Sequence, residues 1–501
     1  MKTSNKNISI QVSEKWEKLA ASPSILDSDV CQETLSEVDE WLTRSSHWLG
    51  FTLRFDGGLL DPMTVKGGLQ RTLHHFPALG ARVVKTDSDK KNLYQLALLP
   101  DDQGVVLEYC KGTTSRPDIH LPNDSDTRKL WKDAGLEAPG PGFSGEATEK
   151  DPLLRARLIV FEEKQVSYLC IGINHGICDG SGMCDILQVW SHFCTKPDQP
   201  LPELLARRRL MGKRVWEAQK PAQSVSDLYE RLPRELGSPH DPFSFWTFLV
   251  KLLPKAIWCM ARQEEVELRV SAAELAALKE AVSKQLPDGE WVSTFEVLCA
   301  SLLLTKQITS PTPTTSNDTV QHNLHVACNL RGRSKRFAKD YFGNAAFDFA
   351  EPMTIGASPA AWNAREVTVM AQEVHRAMRK GLADAESNAC RAKDWFEAAR
   401  HLGIKNTYDM WSPVVFDVLE GDGTFVNSWD KRWLNCGMGA GAENASCMVA
   451  WFGTLQNMVV EVPRHSGTGD STVYFGLPPT HATKFKAFCR KHQDLPFVVV
   501  K

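Results

Sequence analysis

The chain has 501 residues, 42% of them hydrophobic and 24% charged, with a formal net charge of −3. That length exceeds what one hydrophobic core ordinarily serves, so two domains of about 200 residues each are expected. The balanced charge excludes a general pull toward nucleic acid or an anionic membrane surface. No apolar run approaches the ~20 residues of a membrane span, and the longest candidates, such as Phe243 to Cys259, are broken by Lys251, Pro254 and Lys255.

In chain order, Met1 to Glu17 is polar and lacks the apolar centre of a secretory signal, so a cytoplasmic location is expected. A strand is predicted over Trp48 to Phe55, a helix over Val65 to His75 and a hairpin over Leu154 to Asn174. Met183, Ile186, Leu187, Trp190 and Phe193 then recur at helical spacing. A proline-rich stretch from Lys196 to about Gln263 reads as a crossover between two halves. Its cluster Arg207-Arg208-Arg209 reads as a solvated face, with a nuclear signal the alternative.

Helices follow over Ser271 to Ser283 and Ser293 to Thr305, the second opening on a capping box of Ser293 and Glu296. Thr309 to Asp318 is a Ser/Thr/Pro-rich loop. The pattern continues with a strand over His322 to Cys328, a helix over Ala364 to Leu382, strands near Ser446 to Trp451 and Met458 to Val462, and a closing helix from about Thr480 to Lys491. This order suggests two α/β lobes: residues 1–200, a crossover over 201–265, and residues 266–501. Thirteen scattered cysteines point to reduced thiols rather than a disulfide framework or a zinc site. Cys178 and Cys184, close to the most informative motif, read as small buried hydrophobes before they read as nucleophiles.

That motif is Ile173-Asn174-His175-Gly176-Ile177-Cys178-Asp179-Gly180. It follows the strand from Val166, rich in β-branched and aromatic residues, and precedes the helix, so His175 falls on a glycine-flanked turn where rigid elements fix it and substrate can reach it. A neutral imidazole there can take a proton from an alcohol or amine attacking a carbonyl. Asp179, four residues on, either shares that cavity or braces the turn against a distant arginine. An isolated HxxxD also fits a core histidine beside a turn aspartate.

The run resembles the HxxxDG signature of the BAHD acyltransferases and related CoA-dependent acyltransferases, and the resemblance extends from about residue 35 to the end. Leu35-Ser36-Glu37-Val38-Asp39 is similar to the family's early L-S-x-x-D segment, and Phe76 to Val83 to its Y-P-L-A-G-R segment. Asp151-Pro152-Leu153-Leu154 resembles the lead-in to the catalytic hairpin, and Ser293 to Leu298 the S-T-F-D-A-L helix start. Tyr341-Phe342-Gly343-Asn344 matches Y-F-G-N, and Asn427-Ser428-Trp429 stands at the place of T-S-W. Where the family carries D-F-G-W-G, this chain has Asn435-Cys436-Gly437-Met438-Gly439, which sets it apart from typical plant members and nearer the fungal trichothecene 3-O-acetyltransferase type.

The resemblance implies an α/β protein of two similar chloramphenicol-acetyltransferase-like lobes with a channel between them and His175 at its middle. It implies acyl transfer, most simply acetyl, from acyl-CoA to the hydroxyl or amine of a small secondary metabolite, O-acylation before N-acylation, in a monomer that binds no metal or permanent cofactor. His175 is the implied base and Asp179 the support of the turn, paired with Arg331. Asn427 is the candidate oxyanion donor, with a turn asparagine the alternative, since an amide can donate where the family has a threonine. Trp429 is either a wall of the acceptor pocket or a core residue. Arg331, Arg333, Lys335 and Ser293 are the CoA-side candidates, with a solvated loop the alternative for the basic run that ends at Arg336. Condensation domains of peptide synthetases share the HxxxDG centre but double its histidine. Asn174 at that place favours CoA over a carrier-bound thioester, and the chain has no spare ~80 residues for a carrier. A scaffold that kept the fold without the chemistry is the third reading; the presence of both His175 and Asp179 counts against it.

Overall fold

A computed structural model describes residues 7–19, 32–34, 48–85, 94–97, 104–123, 126–139, 151–207, 209–210, 263–310, 320–334, 337–356, 361–384, 387, 390, 423–429, 431–439, 442–451, 454–465 and 467–500. The expectations for Leu35 to Asp39, most of the Thr309 to Asp318 loop, Lys335, Arg336, Arg208 and the greater part of the crossover lie outside them.

Two large mixed sheets organise the chain. The first has the strand order Ile8–Leu19, Val105–Thr114, Leu154–Phe161, Val166–Asn174, Trp48–Asp56 and Cys447–Trp451. The second runs Ala346–Ile355, Val320–Asn329, Gly423–Ser428, Met458–Pro463, Ser471–Leu477, Glu264–Val270 and Phe497–Val499. The predicted hairpin is present: Leu154 pairs with Ile173 and Phe161 with Val166, so its second strand ends at Asn174 and delivers His175 to the turn. Every residue of that strand is buried, which is why it reads as a continuous apolar run rather than an alternating one.

On one face of the first sheet lie the helices Pro62–His75 and Gly180–Thr195. The former starts where Asp61 accepts from the amides of Met63 and Thr64 and proline occupies the first turn, where its missing N–H costs nothing. The two helices lock together through Trp190, fully buried, whose indole Nε1 donates to the Val65 carbonyl at 2.9 Å. The helices Ala272–Ser283, Thr294–Ile308, Ala364–Ala383 and Pro479–Lys491 share a second core with Leu324, Val326, Val473 and Phe475 of the second sheet. Val460, Val462 and Tyr474 belong instead to the first core, so the second sheet carries helices on one face and the first lobe on the other. Across that junction Arg128 lies 3.8 Å over the Tyr474 ring and pairs with Glu265 at 3.1 Å.

The linear division at residues 200 and 265 needs modification. Cys447–Trp451 lies beyond 266 yet forms the edge of the first sheet beside Trp48–Asp56, and Trp429, Trp433, Leu434 and Met438 pack into the first core. The return is held by stacked Trp429 and Trp433, 4.9 Å apart, with Phe51 edge-on to Trp433. Within the crossover, Arg209–Leu210 pairs in parallel with Tyr341–Phe342. Among the described residues no helix is long and apolar enough to cross a membrane. Cys178 and Cys184 are fully buried in the first core, as small hydrophobes are.

Because Trp190 fills the space between two helices and spends its only polar atom there, Trp190→Ala should destabilise the protein by about 3–5 kcal/mol. Chemical denaturation would check this as a lowered midpoint at unchanged slope.

Candidate active site

The turn after Val166–Asn174 is built from its own polar groups. The Asn174 side-chain oxygen accepts from the Gly176 amide at 2.8 Å, and the Ile177 amide donates to the Asn174 carbonyl at 3.2 Å. Asp179 then caps the helix Gly180–Thr195, its Oδ1 accepting from the Gly182 amide at 2.9 Å. One acidic side chain therefore both ends the turn and starts the helix.

The second Asp179 oxygen is held by the other lobe. Oδ2 accepts from Arg331 at 2.8 Å and from the Ala345 amide at 2.8 Å. The Arg331 guanidinium also donates to the carbonyls of Tyr341 at 2.8 Å and Gly343 at 2.5 Å. The two side chains are only 2% and 4% exposed, so an unpaired charge at either would be costly. Burial alone would raise the Asp179 carboxyl; the Arg331 charge and hydrogen bond, with the Gly182 and Ala345 amides, outweigh it and hold the group below the ordinary carboxylate value. Asp179 and Arg331 thus meet as expected. Arg331 was also expected on the CoA side, but its guanidinium is covered by these partners and turned to the brace.

His175 meets a residue to which the sequence alone gives no role. Its Nδ1 lies 3.1 Å from the Asn344 side-chain oxygen, while the Asn344 side-chain nitrogen donates to the His175 carbonyl at 2.9 Å. A carbonyl can only accept, so this second bond fixes which way the amide points. The oxygen must then face the ring, Nδ1 must carry the proton, and Nε2 is left with a bare lone pair. Burial lowers the imidazole below its ordinary value, with a hydrogen bond to its own backbone, the Asp179 charge and the Asn344 hydrogen bond opposing in part. The result is a ring held toward its neutral form, with the unprotonated nitrogen set by tautomer. The signal for Asn344 was present, as the last residue of Tyr341-Phe342-Gly343-Asn344, but nothing in the sequence says that this element crosses to the histidine. Gly343 within it has φ of +124°, a conformation that L side chains rarely adopt.

The remaining sequence candidates are placed differently. Asn427 lies half-buried on Gly423–Ser428, on the same face as Phe425 and opposite Val460. Trp429 is 8% exposed and stacked in the first core, where it fills volume. The Ser293 hydroxyl accepts from the Glu296 amide at 3.2 Å in the capping box the spacing predicts. Arg333 is exposed and donates to the Cys328 sulfur at 3.2 Å. The altered segment Asn435 to Gly439 is still tied to the helix that follows the signature. Gln188 on that helix donates to the carbonyls of Arg432 and Asn435, each at 2.9 Å.

Breaking the brace on one side strands a buried charge, so Asp179→Ala and Arg331→Ala should each cost roughly 3–5 kcal/mol of stability. The double variant should cost less than the sum, since the second substitution removes the charge the first left unpaired. Additive losses in denaturant unfolding would contradict the pairing.

Comparison with known proteins identifies the family. The family model described as the Transferase family matches residues 144–489. The communesin N16 acyltransferase CnsK of Penicillium expansum is 24% identical over 357 residues, spanning 64% of this chain and 69% of that protein. Among solved structures, TRI101 of F. graminearum in complex with ethyl coenzyme A superposes with a TM-score of 0.64 at 14% identity, covering 94% of this chain and 99% of that one. TRI101 of F. sporotrichioides, complexed with coenzyme A and T-2, gives 0.61 at 15% identity over 91% and 97% of the two chains. Vinorine synthase gives 0.59 at 13% identity over 95% and 96%. At such identities the structures establish a shared fold. The family match covers more than half of the sequence, and the chain belongs to the Transferase family, the BAHD-type acyltransferases.

Proposed function

We propose that this protein transfers an acyl group, acetyl in the simplest case, from acyl-CoA directly to a hydroxyl group of a small secondary metabolite. The observation that carries this reading is the bare Nε2 of His175, fixed by the Asn344 bond to Nδ1. The acceptor O–H gives its proton to Nε2 as its oxygen attacks the thioester carbonyl. The resulting oxyanion needs a preorganised donor, typically worth about 3–4 kcal/mol of barrier, and the Asn427 amide takes that role. Collapse breaks the C–S bond, and the imidazolium returns the proton to the departing CoA thiolate. No acyl-enzyme forms. Exposed Arg333, with Lys335 beyond it, is proposed to meet the CoA phosphates.

A second reading replaces the hydroxyl with an amine. It is favoured by the relative named for acylation at N16. Both readings use the same base, because an attacking amine must also lose a proton.

His175→Ala should lower kcat about 10²–10⁴-fold, the range for loss of a general base, with little change in thermal unfolding. Near-native turnover in a folded His175→Ala variant would eliminate the mechanism. Because the base must be neutral and burial holds it below its ordinary 6.5, kcat/KM should rise with pH through an apparent pKa under 6.5 and be flat above pH 7. Asn344→Asp places a carboxylate on Nδ1, favours the imidazolium, and should move that acid limb to higher pH.

The donor is tested by offering acetyl-CoA and an acetylated carrier protein side by side, with calorimetry of CoA alone. Saturable CoA binding and transfer from acetyl-CoA are expected. Consumption of the carrier thioester without CoA binding would replace this reading with a condensation-type one.

A further inference from the structure

The residue before His175 carries a polar group that the turn does not use. Asn174 is fully buried; its side-chain oxygen is engaged by the Gly176 amide, which fixes the amide orientation, and its Nδ2 meets no acceptor among the described residues. Directly across the sheet, Trp48 pairs in register with Asn174. Trp48 is 3% exposed, and its indole Nε1 likewise meets no acceptor among the described residues. Two buried N–H donors thus stand side by side at the end of the strand that delivers the base. Folded chains pair nearly all such groups, because leaving a buried donor unmade costs more than having none.

A third donor and a cavity lie next to this pair. The Arg155 guanidinium lies 5.7 Å over the Trp48 ring, donates to Asp151 at 2.5 Å, and keeps an unpartnered Nε among the described residues. Arg155 in turn lines a cavity of about 550 Å³ with Ala138, Pro139 and Pro152. Next along the same sheet face, Gly50 and Gly172 oppose each other, and the chain at Ala138 and Pro139 presses into the gap. A Cβ on Gly172 would stand 2.1 Å from the Pro139 carbonyl oxygen. The two glycines thus seat that wall of the cavity against the sheet, beside the donors.

We infer that Trp48 and Asn174 form a subsite for the acyl acceptor that takes a carbonyl oxygen of the substrate, bridging indole Nε1–H and amide Nδ2–H. The pair offers donors only, so it selects an oxygen with free lone pairs and rejects a group that must donate. A ketone, ester or lactam oxygen, set apart from the reacting hydroxyl, meets that requirement. The substrate class is therefore a hydroxylated carbonyl compound, anchored one residue from the base. The identity of the occupant as acceptor rests on the acyltransfer reading; the donor pair itself does not.

The probe is 4-hydroxycyclohexanone, which carries one hydroxyl and one ketone. In ¹⁵N-tryptophan-labelled protein, the indole resonance missing from Trp48→Phe belongs to Trp48. Titration with the probe should shift that resonance downfield as its N–H gains an acceptor. Asn174→Asp keeps the oxygen that holds Gly176 and removes the second donor, and should weaken the apparent Kd about fivefold to tenfold. Trp48→Phe should raise KM for the probe while acetyl-CoA binding by calorimetry stays unchanged. A Trp48 resonance unmoved at every probe concentration overturns the site. So does a Trp48→Phe variant that changes thermal stability but not KM, since the donor would then serve only a structural water. A clear Trp48 shift without any acyl transfer would support the subsite and count against the acyltransfer reading instead.

Discussion

The candidate active site depends on one buried ion pair formed between lobes. Asp179 belongs to the first lobe and Arg331 to the second, and each is almost inaccessible to water. Either charge alone would carry a desolvation cost of several kcal/mol, so the turn carrying His175 is stable only where the second lobe supplies its cation. The same short segment, Tyr341 to Ala345, gives two carbonyls to Arg331, an amide to Asp179 and a side-chain oxygen to His175. The setting of His175 is therefore built from two lobes rather than from either alone. A histidine at a strand end would otherwise be free to choose its tautomer; here the second lobe chooses for it.

Much of this was legible from the residues. The hairpin Leu154 to Asn174, the helix behind it, the capping box at Ser293 and the long helix from Ala364 all have strong periodicity or cap chemistry, and the structure has them where the sequence puts them. His175 on the turn between strand and helix and Asp179 braced by Arg331 also followed, the first from local pattern and the second from the family resemblance. Strands such as Glu264–Val270 and Val105–Thr114 were not recognised. The first is half charged and alternates, and the second mixes cysteine, lysine and glycine with its apolar residues, so neither offers a continuous apolar run.

What the sequence could not show was partnership across distance. Cys447–Trp451 reads as an ordinary strand, and nothing in it says that it joins the first sheet rather than the second. Trp429 looks equally suited to a pocket wall or a core, and its stacking on Trp433 in the first core is a contact with no local signature. Asn344 lies 169 residues from His175, so its role rests on a tertiary contact with no local signature. Arg331 drew two expectations because a cation near a signature can serve a carboxylate or a phosphate. Burial against carbonyl oxygens resolves it for the carboxylate.

The proposed chemistry turns on which nitrogen of His175 is bare. The ¹⁵N spectrum of histidine-labelled protein at pH 7.5, with the His175 signals identified by their loss in His175→Ala, reads this directly. The geometry predicts a neutral ring with the proton on Nδ1 and an unprotonated Nε2. A proton resident on Nε2, or a ring still charged at that pH, would contradict it.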